Sequence, residues 1–148
     1  MKATEALLAD HKMIRKILEG FQLDNPRFSE ILKTLHRVVL GHAWFEDVIF
    51  LPAVEAEPLL ERRFTEELYQ EHKDIAYLLD LLRKTDVKDK KELEAYSVQL
   101  RAILDGHFTK EEDALFPLTE KVLNEEGLNK LGEAMRRRQT EIQDLTGI

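Results

Sequence analysis

Four of the five histidines in this 148-residue chain fall into a pattern with two glutamates. His42 is followed four residues later by Glu46, and His107 is followed four residues later by Glu111. Residues four apart on a helix share a face about one turn apart. Each His-x-x-x-Glu therefore presents an imidazole and a carboxylate in the same direction. His11 and His72 stand in matching settings, His11-Lys12-Met13-Ile14 and His72-Lys73-Asp74-Ile75. Neutral imidazole and carboxylate are both ligands for first-row divalent ions. The chain has no cysteine, which excludes disulfides, thiolate zinc sites, iron–sulfur clusters and thiol catalysis. The chemistry these residues offer is cation binding through nitrogen and oxygen.

The pattern is duplicated. In both copies proline follows the second histidine after ten positions, at Pro52 and Pro117. Two helical hairpins of similar design are expected, each with a histidine on its first helix and a His-x-x-x-Glu on its second. The apolar spacing that must carry them is helical nearly throughout. Segment one holds Leu7, Leu8, Ile14, Leu18 and Phe21, with Thr4 as its N-cap and an end near 20–25. Segment two opens with Pro26 in its first turn, holds Leu35, Val38, Val39, Phe45 and Ile49, and is interrupted at Pro52. Segment three starts near Pro58 and holds Phe64, Leu68, Ile75, Leu79 and Leu82. After a loop at 85–89, segment four holds Leu93, Tyr96, Leu100, Ile103 and Leu104, and is interrupted at Pro117. A tail over about 128–143 follows a break at Glu125-Glu126-Gly127. These segments predict an all-α fold: a single domain over 1–148, built as an antiparallel up-down four-helix bundle with a short extra C-terminal helix outside it.

Every long segment puts a histidine on its apolar stripe. His11 lies with Leu7 and Ile14, His42 and Glu46 with Val39 and Ile49, His72 with Leu68 and Ile75, and His107 and Glu111 with Ile103 and Ala114. An ionised carboxylate alone in an apolar core costs more than a domain can spare. Hydrogen bonding alone would pair some of these groups, whereas a metal centre satisfies all of them together. Against two six-coordinate ions, the four imidazoles, Glu46 and Glu111 as bridges, and an assumed oxide or hydroxide bridge leave about two positions for water or a small ligand.

As a set, His11, His42…Glu46, His72 and His107…Glu111 resemble the hemerythrin family in its broader hemerythrin-like, HHE cation-binding form. The endings Phe50-Leu51-Pro52 and Leu115-Phe116-Pro117 are also similar, and the resemblance runs through about residue 140. It implies a non-haem pair of iron ions held by those six residues, with manganese or zinc as alternatives, and an affinity for O2 or related small ligands such as NO or peroxide. Two positions depart from the oxygen-carrying members. Where they have a further ligand histidine, one turn before the third-helix histidine, this chain has Leu68; where they have an aspartate, it has Glu112. The missing imidazole opens a coordination position, which points to sensing, peroxide chemistry or iron handling more than to oxygen carriage.

Other polar residues read as ordinary. Glu66, Glu67 and Glu71 form a solvated acidic face, and Asp47, Glu112 and Asp113 face solvent, with outer roles at the site as the alternative. His36 is a surface or boundary residue, and Tyr69 packs, although its phenolate could fill the open position. Trp44 makes a helix–helix or surface contact, Phe45 and Ile49 line the pocket, and Arg136-Arg137-Arg138 is a solvated helix end or a docking patch. The net charge of −7 disfavours nucleic acid as a partner. No apolar run suits a membrane span and the N-terminus does not read as a signal peptide, so the cytoplasm is the expected compartment. Three functions follow: a binding or sensing protein for a small diatomic ligand or peroxide, an enzyme of peroxidase or oxidase type on the same centre, and a metal-free structural bundle.

Overall fold

The computed structural model describes residues 1–58 and 61–146, with side chains described to residue 139; Gly147 and Ile148, the end of the expected domain, lie outside the described residues. The described chain is helical, without strands. The helices are α1 (Ala3–Gly20), α2 (Phe28–Phe45), α3 (Leu51–Glu55), α4 (Arg62–Lys84), α5 (Lys90–Lys110), α6 (Phe116–Val122) and α7 (Glu125–Thr146). Two π-helical turns, Glu46–Phe50 and Glu111–Leu115, join α2 to α3 and α5 to α6. α1 packs on α2, α4 on α5, α2 on α4, and α7 on α1. None of the described helices is long and apolar enough to cross a membrane.

The π turns change the expected interruptions at Pro52 and Pro117. The chain does not break there: helical backbone runs through both prolines, each of which sits in the first turn of the following helix. Proline lacks an N–H and its ring clashes with the carbonyl four residues back. A wider turn just upstream relieves that clash and leaves the missing donor without consequence. Leu51 N–H bonds back to the Glu46 carbonyl, and Phe116 N–H to the Glu111 carbonyl, in i→i−5 fashion. Each π turn adds a residue, so the inward stripe slips by one position. Phe50 and Leu115 are fully buried, whereas Ile49 is half-buried and Ala114 exposed.

Several boundaries differ from expectation for local reasons. Thr4 is not an N-cap: its hydroxyl donates to Glu120 Oε1 at 2.9 Å, tying α1 to α6. Leu8 lies on the exposed edge of the α1 stripe. Pro26 lies in the turn before α2, where Asn25 bonds both Gly20 O and the Arg27 N–H. α4 starts at Arg62, later than Pro58. The C-terminal helix is not short. It begins at Glu125 and runs 22 residues, because the Asn124 side chain accepts the Gly127 N–H at 2.7 Å and caps it. The glycine lies inside the first turn and does not end a loop.

The apolar interior has two parts. One cluster is built around Ile14, Leu35, Leu79, Leu100 and Phe108, the other around Leu7, Phe50, Leu68, Leu115 and Phe116. Each histidine of the repeat comes between a residue of one cluster and a residue of the other along its own strand of chain: Leu7–His11–Ile14, Val39–His42–Phe50, Leu68–His72–Ile75 and Leu104–His107–Leu115. A polar layer is thus closed above and below by hydrocarbon.

Arg101 locks the first hairpin to α5. Its guanidinium donates to the Leu18 carbonyl at 2.9 Å and to the Phe21 carbonyl, and lies over the Phe21 ring, 5.6 Å from its centre. The Leu18 carbonyl also accepts the Phe21 N–H at 3.1 Å where α1 ends, and the Phe21 carbonyl lies just beyond that end. Arg101→Ala should lower unfolding stability by about 1–3 kcal/mol, read as a shift in denaturation midpoint, with the helical far-ultraviolet signal unchanged.

Candidate metal centre

The six residues of the repeat converge in the polar layer, and all are buried. His11, Glu46 and Glu111 have no exposed surface. The four imidazoles turn their Nε2 atoms inward. His72 Nε2 lies 3.0 Å from Glu46 Oε1 and 3.0 Å from His107 Nε2. His42 Nε2 lies 3.3 Å from Glu46 Oε1, and His11 and His107 Nε2 each lie 3.2 Å from Glu111 Oε1. His107 Nε2 is also 3.6 Å from Glu46 Oε1. Each carboxylate therefore touches imidazoles from both hairpins.

Two groups of ligand atoms are close enough to hold a cation each: His11, His42 and Glu111, and Glu46, His72 and His107. In each group one hairpin supplies two imidazoles and the other supplies the carboxylate. Proximity does not satisfy these atoms. His11 Nε2, His42 Nε2, Glu46 Oε2 and both Glu111 oxygens are buried without a hydrogen-bond partner among the described residues. The 3.2 Å approach of His11 to Glu111 is near enough for a bond but not aligned for one. Buried polar atoms are almost always paired, and leaving one unpaired costs about 1–3 kcal/mol. Nitrogen and oxygen donors gathered in one buried place, several of them without a hydrogen-bond partner among the described residues, suit a divalent cation, so the residues present fit such a group.

The outward Nδ1 atoms are all engaged, each by its own carboxylate. His42 Nδ1 bonds Asp10 at 2.9 Å, His72 Nδ1 bonds Asp47 at 2.6 Å, His107 Nδ1 bonds Glu71 at 2.9 Å, and His11 Nδ1 bonds Glu112 at 2.6 Å. The four bonds close a ring. The α1 carboxylate reaches the α2 histidine, the residue after Glu46 reaches the α4 histidine, the α4 carboxylate reaches the α5 histidine, and the residue after Glu111 returns to α1. With Nδ1 as donor, Nε2 is left with its lone pair directed inward. Arg15 holds Glu112 at 2.8 Å, and Lys110 holds Glu71 at 2.8 Å and Glu67 at 3.3 Å.

This ring corrects part of the sequence reading. Glu71 is not a member of a solvated acidic face, and Asp47 and Glu112 are not solvent-facing bystanders; Asp10 was not singled out at all. Each is next in sequence to a ligand candidate, in the pairs Asp10-His11, Glu46-Asp47, Glu71-His72 and Glu111-Glu112. That adjacency, repeated in both hairpins, is the signal in the sequence. Glu66 and Asp113 are exposed as expected. Leu68 is fully buried in the second apolar cluster and brings no donor to the layer. Tyr69 packs in that cluster, with its hydroxyl against Glu55. His36 sits near the surface, with Arg83 at 3.3 Å.

The protein groups polarise one another strongly. Burial disfavours the charged His42 ring, but the Glu46 carboxylate and the Asp10 hydrogen bond outweigh it and raise the ring to about 9. At His72 burial is likewise overcome by Asp47 and Glu46, which raise it to about 9. At His11 burial prevails with help from His42, and the ring falls to about 4. Burial works against the Glu46 carboxylate, yet the His42, His107 and His72 rings hold it well below the usual range. Phe108 stacks on the His11 ring at 3.9 Å between centres and Phe116 lies at 5.6 Å, walling that side against water.

Asp47→Ala should weaken divalent-cation affinity by about 10–100-fold with little change in helical content. Competition against a chromophoric chelator reads the affinity, and an unchanged value would show that the His72–Asp47 bond does not orient the ring.

The profile of the hemerythrin HHE cation binding domain matches residues 2–101 and residues 63–147. The second match begins at α4, the counterpart of α1 in the repeat. No functionally curated protein matches the sequence. Among solved structures, a hemerythrin HHE cation binding domain-containing protein from Mycobacterium kansasii has a TM-score of 0.81 to this chain at 21% sequence identity, covering 95% of this chain and 86% of that one. A likeness at that identity bears on the fold alone. Since the profile spans nearly the whole sequence, this chain belongs to the hemerythrin HHE cation-binding domain family.

Proposed function

We propose that the chain is a non-haem di-iron protein that binds or senses O2 or a related small ligand, NO or peroxide, or handles iron. His11, His42 and Glu111 would hold one ion and Glu46, His72 and His107 the other. The observation that carries this reading is the set of buried, unpartnered nitrogen and oxygen atoms at the centre of the layer. In the same reading the four histidine-bearing rods form an antiparallel up-down bundle within a single domain, with α7 packed outside it against α1. An iron pair would supply one-electron redox chemistry and a coordination position for a small ligand. The protein supplies the rest: carboxylates that fix each imidazole, aromatic rings that exclude water, and Leu68 where a further ligand could have stood.

The second reading is an enzyme on the same centre, consuming peroxide or acting as an oxidase. Leu68 favours it, because no described protein group beyond the six closes the centre. Turnover separates the two readings: a binding protein consumes peroxide no faster than free iron, whereas an enzyme consumes it catalytically.

Protein produced with iron should contain about two iron atoms per chain, as the two ligand groups require, and its near-ultraviolet to visible absorption should change on moving from anaerobic to aerobic buffer. His72→Ala should remove at least one of the two. A folded protein without metal, or one that takes metal equally well after His72→Ala, would contradict the assignment.

A further inference from the structure

Outside the polar layer, α1, α2 and α7 enclose a cavity of about 690 Å3, a size typical of small-molecule sites. All three methionines of the chain, Met1, Met13 and Met135, line it. Methionine suits a flexible apolar guest because its side chain is unbranched and polarisable. Trp44 and Phe45 add aromatic wall. Asp10 and His42 also line it, so the cavity adjoins the outer edge of the metal layer without entering it.

The space is there because side chains are missing from its walls. Gly41 lies inside α2, four residues before its end, and faces the cavity; a Cβ built on it meets nothing within 4 Å. Glycine inside a helix costs about 1 kcal/mol relative to alanine, and no close packing requires one here. One turn before Gly41 on the same face is Arg37, which also lines the cavity and has no hydrogen bond or ion pair among the described residues. Arg136 lies on the facing helix. From Arg37 to Phe45 the α2 wall runs eight residues, about 12 Å, with a cation at one end and an aromatic ring at the other.

We propose that this cavity binds a small anionic amphiphile, a medium-chain carboxylate, with its alkyl chain among the methionines and its head group at Arg37. An unpaired guanidinium beside an apolar wall recognises a carboxylate by charge-assisted hydrogen bonds, and Asp10 at the metal side repels the head from that end. At the Arg37 end a cationic head group would meet like charge.

Trp44 is the single tryptophan and lines the cavity, so its emission reports occupancy directly. The full chain is titrated with decanoate, decanol and decyltrimethylammonium below their micellar concentrations. Decanoate should give a saturable change, with decyltrimethylammonium at least about tenfold weaker. Arg37→Gln should reduce decanoate to the affinity of decanol. Gly41→Phe, which fills the cavity from α2, should abolish the response while circular dichroism stays helical, and Ala9→Leu, which narrows it from α1, should weaken the response in the same way. No saturable response to decanoate, equal response to all three probes, or an undiminished response in folded Gly41→Phe and Ala9→Leu chains would overturn the proposal.

Discussion

The rest of the molecule is arranged around one constraint: four imidazoles and two carboxylates are buried in a single layer between two apolar clusters. Each cluster alone would be an ordinary helical core. The layer between them holds nitrogen and oxygen atoms that the protein does not satisfy internally, in a dry setting where that omission is expensive. A structural core would have replaced them with hydrocarbon, since well-packed apolar residues match or exceed buried ionic groups in stability. Their retention on four separate rods, with matched orientation, is the physical signature of a site built for something that is not protein.

The orientation is built in a second layer of contacts. Four carboxylates, each beside a ligand candidate in sequence, reach across to the next rod and hold the outward nitrogen of its histidine. The ring they form ties α1, α2, α4 and α5 into one closed circuit, so that moving any helix disturbs two histidines. The π turns contribute at the same level. Each begins at one of the two inward glutamates, and each is followed by a proline that a regular helix would not accommodate as easily. The same local irregularity thus sets the carboxylate, admits the proline and re-registers the apolar stripe below it.

Much of this was legible in the sequence. The His-x-x-x-Glu pairs, their duplication and their apolar flanks all follow from the helical period, and the six residues they named are those that meet. What was not legible has two causes. Asp10, Asp47, Glu71 and Glu112 lie roughly 100° around their own helices from the ligand candidates, which on an isolated helix means facing away; only the approach of the next rod turns that direction into a contact. The π turns could not be seen because a constant period carries the stripe onto Ile49 and Ala114, whereas one added residue moves it to Phe50 and Leu115. Asn124 was overlooked as a cap because Gly127 drew the helix start three residues too late.

In the proposed centre two cations sit in the layer, one with each imidazole pair and the carboxylate of the opposite hairpin. Anomalous diffraction at the iron absorption edge, from crystals of iron-loaded protein, locates them directly. Two peaks are expected, one within reach of His11, His42 and Glu111 and the other within reach of Glu46, His72 and His107. A layer without anomalous density in iron-containing crystals, or iron found only at surface carboxylates, would contradict it.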